Sequence, residues 1–315
     1  MQSTSPTGST DRIARLPFKK RIIKWIGRVA FWWMCVSARL WRPWSVKLAG
    51  NTLGTMFYYA SSRYRNVALK NLRNVYRQDK TDSERVEIAK GVFRHFSRAA
   101  LEFFSVLSLS REQVSAMIDI EGAEHLDKAM ENGRGGIIVT AHYGNWELLA
   151  RKLVILGYKI NVIARDSDDP GMTGITAKIR EHGGYKVFDR DQPLIGVMRA
   201  LKNNEILGIL PDQHESHGLF VDFFSRPAAT ATGPAAFALK SGAPLLPVFA
   251  TRMPDGKYKA IVYPAIDFEP SGDTDADMRD LTALINLAIE RAIRLHPDQW
   301  LWLHDRWKSS PEVLS

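Results

Sequence analysis

The chain has 315 residues, of which 45% are hydrophobic and 24% are charged, a composition typical of globular proteins with one large domain or two modest ones. Its single cysteine, Cys35, excludes an intramolecular disulfide framework and a cysteine-rich zinc site, and it favours a reducing, cytoplasm-facing environment. The net charge of +9 is uneven, because residues 1–100 carry +15 and residues 101–315 carry −6. The basic N-terminal third therefore predicts contact with an anionic surface or partner.

The N-terminal segment predicts a leader followed by a membrane anchor. Residues 1–20 begin with MQSTSPTGSTDR, whose Ser, Thr, Pro and Gly content predicts disorder. Residues 21–45 form a basic amphipathic pattern with five tryptophans, and tryptophan suits the headgroup region of a bilayer. The uncharged stretch 29–38 is shorter than the ~20 residues of a membrane span, so we predict an interfacial anchor or a tilted single transmembrane helix. A soluble helix that packs on the rest of the protein is the alternative.

Beyond residue 45, a helical region precedes an α/β pattern. Apolar residues three and four positions apart predict helices within 46–118. Short apolar runs then alternate with helical stretches, which predicts an α/β fold with a mostly parallel central sheet flanked by helices and with antiparallel strands late in the chain. The predicted strands are 118–121, 136–141, 159–164, 185–188, 206–210, 244–250 and 258–264, and the predicted helices are 123–132, 145–156, 170–183, 192–203, 233–242 and 276–295. We predict one domain over 46–315, with a helical lead-in at 46–118 and an α/β core at 119–310.

The sequence HYGNWE, at 142–147, follows a predicted strand and opens a predicted helix. Residues just after the carboxyl end of a strand face the ligand crevice in such sheets. Asn145 is a good N-cap for the helix, and Glu147 falls in its first turn. Across a strand, a turn and a helix, His142 and Glu147 can converge, so that the carboxylate holds one imidazole nitrogen and leaves the other free as a base. The alternative is a surface histidine, with Glu147 favoured by the helix dipole and paired with Arg151.

Four further blocks accompany HYGNWE in order, and together they cover most of the chain from about residue 20. They are SRYRNVALKNL at 62–72, ILPDQHESHGLFVDFF at 209–224, AATATGPAAFALKSGAPLLPVFA at 228–250 and HPDQWLWLHDRWK at 296–308. HYGNWE resembles the H-x4-D/E motif of the lipid A biosynthesis acyltransferases, the late enzymes that add lauroyl or myristoyl chains to Kdo-lipid A. The motif alone is a weak signal, whereas the ordered set is a strong one.

The resemblance implies acyl transfer from a thioester donor, acyl-acyl carrier protein or acyl-CoA, to a hydroxyl of a membrane glycolipid, with no cofactor or metal. It implies a location at the bacterial inner membrane, with the catalytic domain facing the cytoplasm. His142 would deprotonate the hydroxyl, and Glu147 would orient His142. The sequence has no G-x-S-x-G elbow, and its only cysteine lies in the predicted anchor, so direct transfer without a covalent acyl-enzyme is expected.

The resemblance also implies substrate-binding residues. Arg165, after the predicted strand 159–164, would bind a phosphate or the developing oxyanion, although it could instead pair with Asp166 or Asp168. Asp212 and Gln213 follow another predicted strand and should face the same crevice as His142. Phe223, Phe224 and the small-residue block 228–236 would line an acyl groove, although core packing explains the two phenylalanines as well. The substrate-binding set is thus Asn145, Arg165, Asp212, Gln213, Phe223, Phe224 and Thr230.

Some features depart from the family pattern or allow other functions. Ser225 stands where the family usually has Gly, Ala164 where an aromatic residue usually precedes the arginine, and His214 where an acidic or amide residue is commoner. The same signature covers acyltransferases of phosphatidylinositol mannosides, so the acceptor stays open. A basic helical face (Arg63, Arg65, Lys70 and Arg73) could receive an acidic acyl carrier protein or lipid phosphates. A metal-dependent lipid hydrolase, a nucleic-acid-binding protein and an inactive lipid-binding protein are the rival readings.

Overall fold

The computed structural model describes residues 33, 36, 37, 40–105, 109–164, 170–189 and 194–309. The predicted leader at 1–20 and most of the predicted anchor at 21–45 lie outside the described residues. Within the described residues, no helix is both long enough and apolar enough to cross a membrane.

Three helices form the lead-in, as the spacing of apolar residues predicts: α1 (Pro43–Ala60), α2 (Ser62–Tyr76) and α3 (Asp82–Ser105). Pro43 suits the first position of α1, where a backbone N–H has no helical partner. Asp82 lies in the first turn of α3, where the helix dipole favours negative charge. Helix α1 packs along α3, and Asn71 of α2 donates hydrogen bonds to the carbonyls of Trp302 and His304. The lead-in is therefore tied to the end of the chain.

The central sheet has seven strands in the order β1-β9-β8-β2-β5-β3-β4. All neighbouring strands are parallel except β8 and β9, so the predicted α/β fold with late antiparallel strands is confirmed. The strands are β1 (Ile118–Glu121), β2 (Gly136–Val139), β3 (Ile160–Ala164), β4 (Lys186–Asp189), β5 (Ile206–Ile209), β8 (Leu245–Arg252) and β9 (Tyr258–Val262).

Helices cover both faces of this sheet, and strand β2 shows why. Its side chains alternate between two hydrophobic clusters: Ile137 and Val139 contact one, and Ile138 contacts the other. A strand with both faces buried is continuously apolar rather than alternating, which is what GIIV at 136–139 provides. The covering helices are α4 (Arg111–Met117), α5 (Ala123–Glu131), α6 (Trp146–Ile155), α7 (Pro170–His182), α8 (Ile195–Lys202), α9 (Gly233–Ser241) and α10 (Thr274–Leu295).

A two-stranded hairpin is the main element that the sequence pattern does not predict. Strands β6 (Leu219–Asp222) and β7 (Pro227–Thr230) pair antiparallel next to the sheet. The two central turn residues, Phe224 and Ser225, have φ of 54° and 55°, which is the geometry of a tight hairpin turn. Such turns usually carry Asn-Gly or Asp-Gly, so Phe-Ser gives no turn signal.

Candidate active site

His142 and Asp212 are brought together by two neighbouring parallel strands. Val139, the last residue of β2, stands opposite Ile209, the last residue of β5. His142 and Asp212 each follow three residues later, so both side chains emerge at the same edge of the sheet. Asp212 therefore contacts His142 at this edge, as two residues that follow parallel strands can, but it is buried and does not itself line the cavity beside His142.

The Asp212 carboxylate holds the His142 imidazole directly. The Nδ1 of His142 lies 2.8 Å from Asp212 Oδ1, and the backbone N–H of His142 donates to Oδ2 at 2.8 Å. The indole N–H of Trp300 also donates to Oδ2, at 2.8 Å. The Asp212 side chain is 1% exposed, whereas that of His142 is 24% exposed. The buried carboxylate thus holds Nδ1, and the Nε2 of the partly exposed imidazole makes no hydrogen bond with the described residues.

The electrostatics of this pair favour an ionised Asp212. Burial by itself would raise the pKa of the Asp212 carboxyl, but attraction to His142 and the hydrogen bonds from His142 and Trp300 outweigh it and lower the pKa below its ordinary value. An ionised Asp212 accepts a hydrogen bond from Nδ1–H, which fixes the tautomer in which Nε2 accepts a proton. Chemically, such a pair can serve as a general base, with the carboxylate orienting the imidazole.

The turn that carries His142 is fixed on several sides. Gly144 has φ of +57°, and a Cβ there would lie 1.7 Å from the carbonyl oxygen of Ala250, so only glycine fits. Its N–H donates to the carbonyl of Gln299 at 2.9 Å, and its carbonyl lies 2.9 Å from the Nε2 of His95. Leu301 N–H donates to the carbonyl of His142 at 3.0 Å. The turn is therefore held by the closing segment of the chain and by α3.

A buried ion pair lies behind this turn. Arg252 donates to both carboxylate oxygens of Glu102, at 2.6 and 3.0 Å, and each side chain is 7% exposed. The Tyr258 hydroxyl donates to Glu102 at 2.6 Å, and the Asn145 side-chain amide donates to it at 3.1 Å. Burial, together with the positive charge of Arg252, lowers the pKa of His95 to about 3, so its ring is neutral at neutral pH. The network fixes the start of α6 and hence the turn before it.

Glu147 does not hold His142, and this interpretation of HYGNWE is corrected. Its carboxylate accepts hydrogen bonds from Nη2 of Arg180, at 2.6 Å, and from the Tyr185 hydroxyl, at 2.5 Å. The alternative partner, Arg151, instead donates to the carbonyl of Leu109. Because Arg180 and Tyr185 lie beyond the next strand in sequence, helix spacing could not reveal them. Glu147 does line the same cavity as His142.

A cavity of about 680 Å³ begins beside His142, and its volume lies within the range of small-molecule sites. Its polar end is lined by His142, Glu147, Gln213 and His214. Arg180, Glu215 and His217 also line it. Apolar side chains from the sheet and α6 form the wall that reaches toward the amino end of β3: Ile138, Leu149, Leu153, Ile160 and Val162. A chain-like apolar ligand entering this cavity would therefore place its polar head next to the imidazole.

The other predicted binding residues divide between the cavity and the core. Gln213 lines the cavity, as expected. Asn145 caps α6 by accepting from the N–H of Leu148, so its predicted substrate contact is corrected to a structural one. Arg165 lies outside the described residues. Of the block 228–236, the residues Ala231, Thr232, Gly233 and Pro234 line the cavity.

Phe223, Phe224 and Thr230 pack in the core instead of lining the cavity, which corrects the predicted acyl-groove role. Phe223 contacts the rings of Trp300 and Trp307, and Phe224 contacts that of Trp302. The Thr230 hydroxyl accepts a hydrogen bond from the fully buried Arg306 at 2.5 Å. Core packing, the alternative for the phenylalanines, is the arrangement found.

Trp300, Arg180 and Tyr185 were missed as site residues. The block 296–308 contains Trp300, but a buried indole that donates to a carboxylate 88 residues away leaves no spacing signal. Arg180 and Tyr185 lie on α7 and just before β4, so only the folded sheet places them at Glu147. Among the described residues, no group of three His, Cys, Asp or Glu side chains is arranged to hold a metal ion.

Comparison with known proteins shows the family of the chain. The family model described as "Bacterial lipid A biosynthesis acyltransferase" matches residues 13–309. The chain is 28% identical over 294 residues to the lipid A biosynthesis lauroyltransferase of Escherichia coli, covering 92% of each protein. It is 27% identical over 268 residues to the lipid A biosynthesis palmitoleoyltransferase of the same organism, covering 83% of this chain and 84% of that protein. It is 26% identical over 219 residues to a phosphatidylinositol mannoside acyltransferase of Mycobacterium tuberculosis, covering 67% of each. The chain therefore belongs to the bacterial lipid A biosynthesis acyltransferase family and is an acyltransferase.

Proposed function

We propose that the chain transfers a fatty acyl group from a thioester donor to a hydroxyl of a lipid A-type glycolipid, with His142 as general base. The observation that supports this most directly is the His142–Asp212 pair at the polar end of an apolar cavity. An acyl chain suits the apolar walls, and the reacting carbonyl would then lie next to the imidazole.

In the proposed step, the Nε2 of His142 removes the proton of the acceptor hydroxyl while its oxygen attacks the thioester carbonyl carbon. The C–O bond forms, the C–S bond breaks, and the thiolate leaves with the proton returned by the imidazolium. Asp212 stabilises that imidazolium through Nδ1. Direct transfer needs no enzyme nucleophile, in keeping with the absence of a G-x-S-x-G sequence.

Glu147 keeps a proposed part in this reaction, but through Arg180 rather than through His142. Both residues line the cavity, and their 2.6 Å ion pair is largely buried. Burial would lower the pKa of Arg180, but the Glu147 carboxylate outweighs it and raises the pKa. A neutralised pair lets the cavity accept an apolar chain, whereas a lone guanidinium in the same cavity as His142 would oppose the charge of the imidazolium.

We infer the acceptor and the location from the names of the relatives. Two relatives act in lipid A biosynthesis, as lauroyl- and palmitoleoyltransferase, so a lipid A-type acceptor at the cytoplasmic face of the inner membrane is the favoured proposal. A phosphatidylinositol mannoside-like acceptor is the alternative, because a third relative acts on that class. The donor is proposed to be acyl-acyl carrier protein or acyl-CoA. On the basic α2 face, which could receive an acidic carrier protein, two of the basic residues already pair with acidic residues of this chain: Lys70 lies 3.5 Å from Asp305, and Arg73 lies 3.7 Å from Asp82.

A transfer assay tests the proposal. Purified wild-type protein is incubated with an acyl thioester and either a lipid A precursor or a phosphatidylinositol mannoside, and the lipid products are identified by mass spectrometry. We expect acylated lipid A precursor with wild-type protein and almost none with His142→Ala. Glu147→Ala should also lose most of the transfer. His182→Ala, a change at the end of α7, serves as the matched control and should keep it.

Thermal unfolding of each variant separates loss of chemistry from loss of structure. Near wild-type turnover by a folded His142→Ala variant would contradict the proposed base. Acylation of the phosphatidylinositol mannoside alone would show that the acceptor is of that class and not a lipid A precursor. Release of free fatty acid from the lipid, without transfer and with loss of activity on chelation, would instead support the metal-dependent hydrolase.

A further inference from the structure

Helix α1 packs on the protein through a face with two glycines and turns five large apolar residues away from it. Val46, Gly50, Gly54 and Tyr58 recur every four residues and form its buried face. A Cβ on Gly54 would lie 2.5 Å from the Cα of Arg94 in α3. The backbones of the two helices are thus in close contact, in the small-xxx-small manner common where helices pack within lipid.

The opposite face of α1 is apolar, uncharged and exposed. Trp44, Leu48, Leu53, Met56 and Tyr59 are between 49% and 69% exposed. The other exposed residues of this face are also uncharged: Ala49, Thr52 and Ala60. Lys47 is the only charged residue in the 18 of α1. A contiguous face of five large apolar side chains is more than a water-exposed helix normally carries, and it marks an interaction surface.

Basic residues surround this face. Arg42 and Lys47 lie at the start of α1, and Arg63 and Arg65 follow its end. Residues 40–78 contain seven Lys or Arg and no Asp or Glu. An apolar stripe with basic residues at both ends complements an anionic lipid surface, where cationic side chains meet the headgroups and apolar ones enter below them.

We propose that the apolar face of α1 (Trp44, Leu48, Leu53, Met56 and Tyr59) docks in the headgroup region of an anionic lipid bilayer. A helix of 18 residues is about 27 Å long, shorter than the hydrocarbon core of about 30 Å, so α1 lies along the membrane surface and does not cross it. This extends the predicted membrane contact beyond 21–45 into the folded protein. The docking is measured without turnover, so it can fail independently of the proposed reaction.

Vesicle binding tests the proposal with a matched control in the full-length chain. Leu48→Glu/Met56→Glu places two charges eight residues apart on the α1 face, and Leu287→Glu/Leu295→Glu does the same on exposed positions of α10. With phosphatidylcholine vesicles containing phosphatidylglycerol, we expect the α1 variant to lose at least about tenfold in partitioning and the α10 variant to bind as the wild type does. Equal binding by all three folded proteins would overturn the proposal.

Photocrosslinking identifies the occupant even if residues outside α1 also hold the protein on the vesicle. Vesicles carrying a photoreactive phospholipid should label peptides from 44–59 and leave those from 287–295 unlabelled. Label confined to other segments would overturn the proposal. Protection of 44–59 by a second copy, seen as a dimer in sedimentation with no lipid label, would show that this face is a protein interface instead.

Discussion

The buried Glu102–Arg252 pair gives a sharp expectation for stability. Glu102→Leu leaves the Arg252 guanidinium, 7% exposed, without its carboxylate and also removes the acceptor of the Tyr258 hydroxyl. Breaking a buried pair by removing one partner costs about 3–5 kcal/mol. We therefore expect Glu102→Leu to lower the free energy of unfolding by about that amount, a large share of the roughly 5–15 kcal/mol of a typical domain.

The double variant Glu102→Leu/Arg252→Met distinguishes the buried charge from lost packing. It leaves no uncompensated charge, although Tyr258 and Asn145 still lose an acceptor, at about 1 kcal/mol each. We expect it to be more stable than Glu102→Leu by at least about 2 kcal/mol. Urea unfolding followed by circular dichroism measures all three proteins. A single variant within about 1 kcal/mol of wild type, or a double variant less stable than the single one, would refute this reasoning.

Two further expectations concern a turn and a buried histidine. Ser225→Gly should raise the free energy of unfolding by about 1 kcal/mol, because a φ of 55° is strained for serine and unstrained for glycine. An unchanged or lower urea midpoint would contradict this. The His95 pKa of about 3 lies below its unfolded value, so its contribution to stability is complete above about pH 6.5 and is lost as the pH falls toward 3. Between pH 6 and pH 4.5, the free energy of unfolding should therefore fall by about 2 kcal/mol less in His95→Gln than in wild type, as measured by urea unfolding at both pH values. Equal losses in the two proteins would show that His95 is not the titrating group.

The sequence was sufficient to place the seven strands of the central sheet and their covering helices in chain order, because each buried strand is a short apolar run and each covering helix has its own periodicity. It also placed His142 and Asp212 at one edge, since residues that follow parallel strands emerge together. It could not assign the partner of each side chain. Glu147 follows His142 closely in sequence, but its carboxylate reaches Arg180, 33 residues later, and His142 pairs across strands with Asp212.

The β6–β7 hairpin and the role of Trp300 escaped prediction for the same physical reason. The turn residues Phe224 and Ser225 are unfavourable locally and are held by tertiary contacts: Phe224 packs on Trp302, and its N–H donates to Glu290. An isolated antiparallel β-bridge between Trp300 and Tyr143 positions Trp300. Contacts of this kind depend on the completed fold, so no local pattern records them.

The pH dependence of turnover in Asp212→Asn tests most directly whether a carboxylate-held His142 is the base. Asparagine keeps the size of the side chain but cannot stabilise the imidazolium, so we expect kcat to fall by at least about 100-fold, with little change in KM and with a shift of the acidic limb of the pH profile, where the base becomes protonated. Glu147→Gln, which alters the same cavity without touching His142, should lower kcat and leave the position of that limb unchanged. A folded Asp212→Asn variant with near wild-type kcat and an unshifted pH profile would contradict the account.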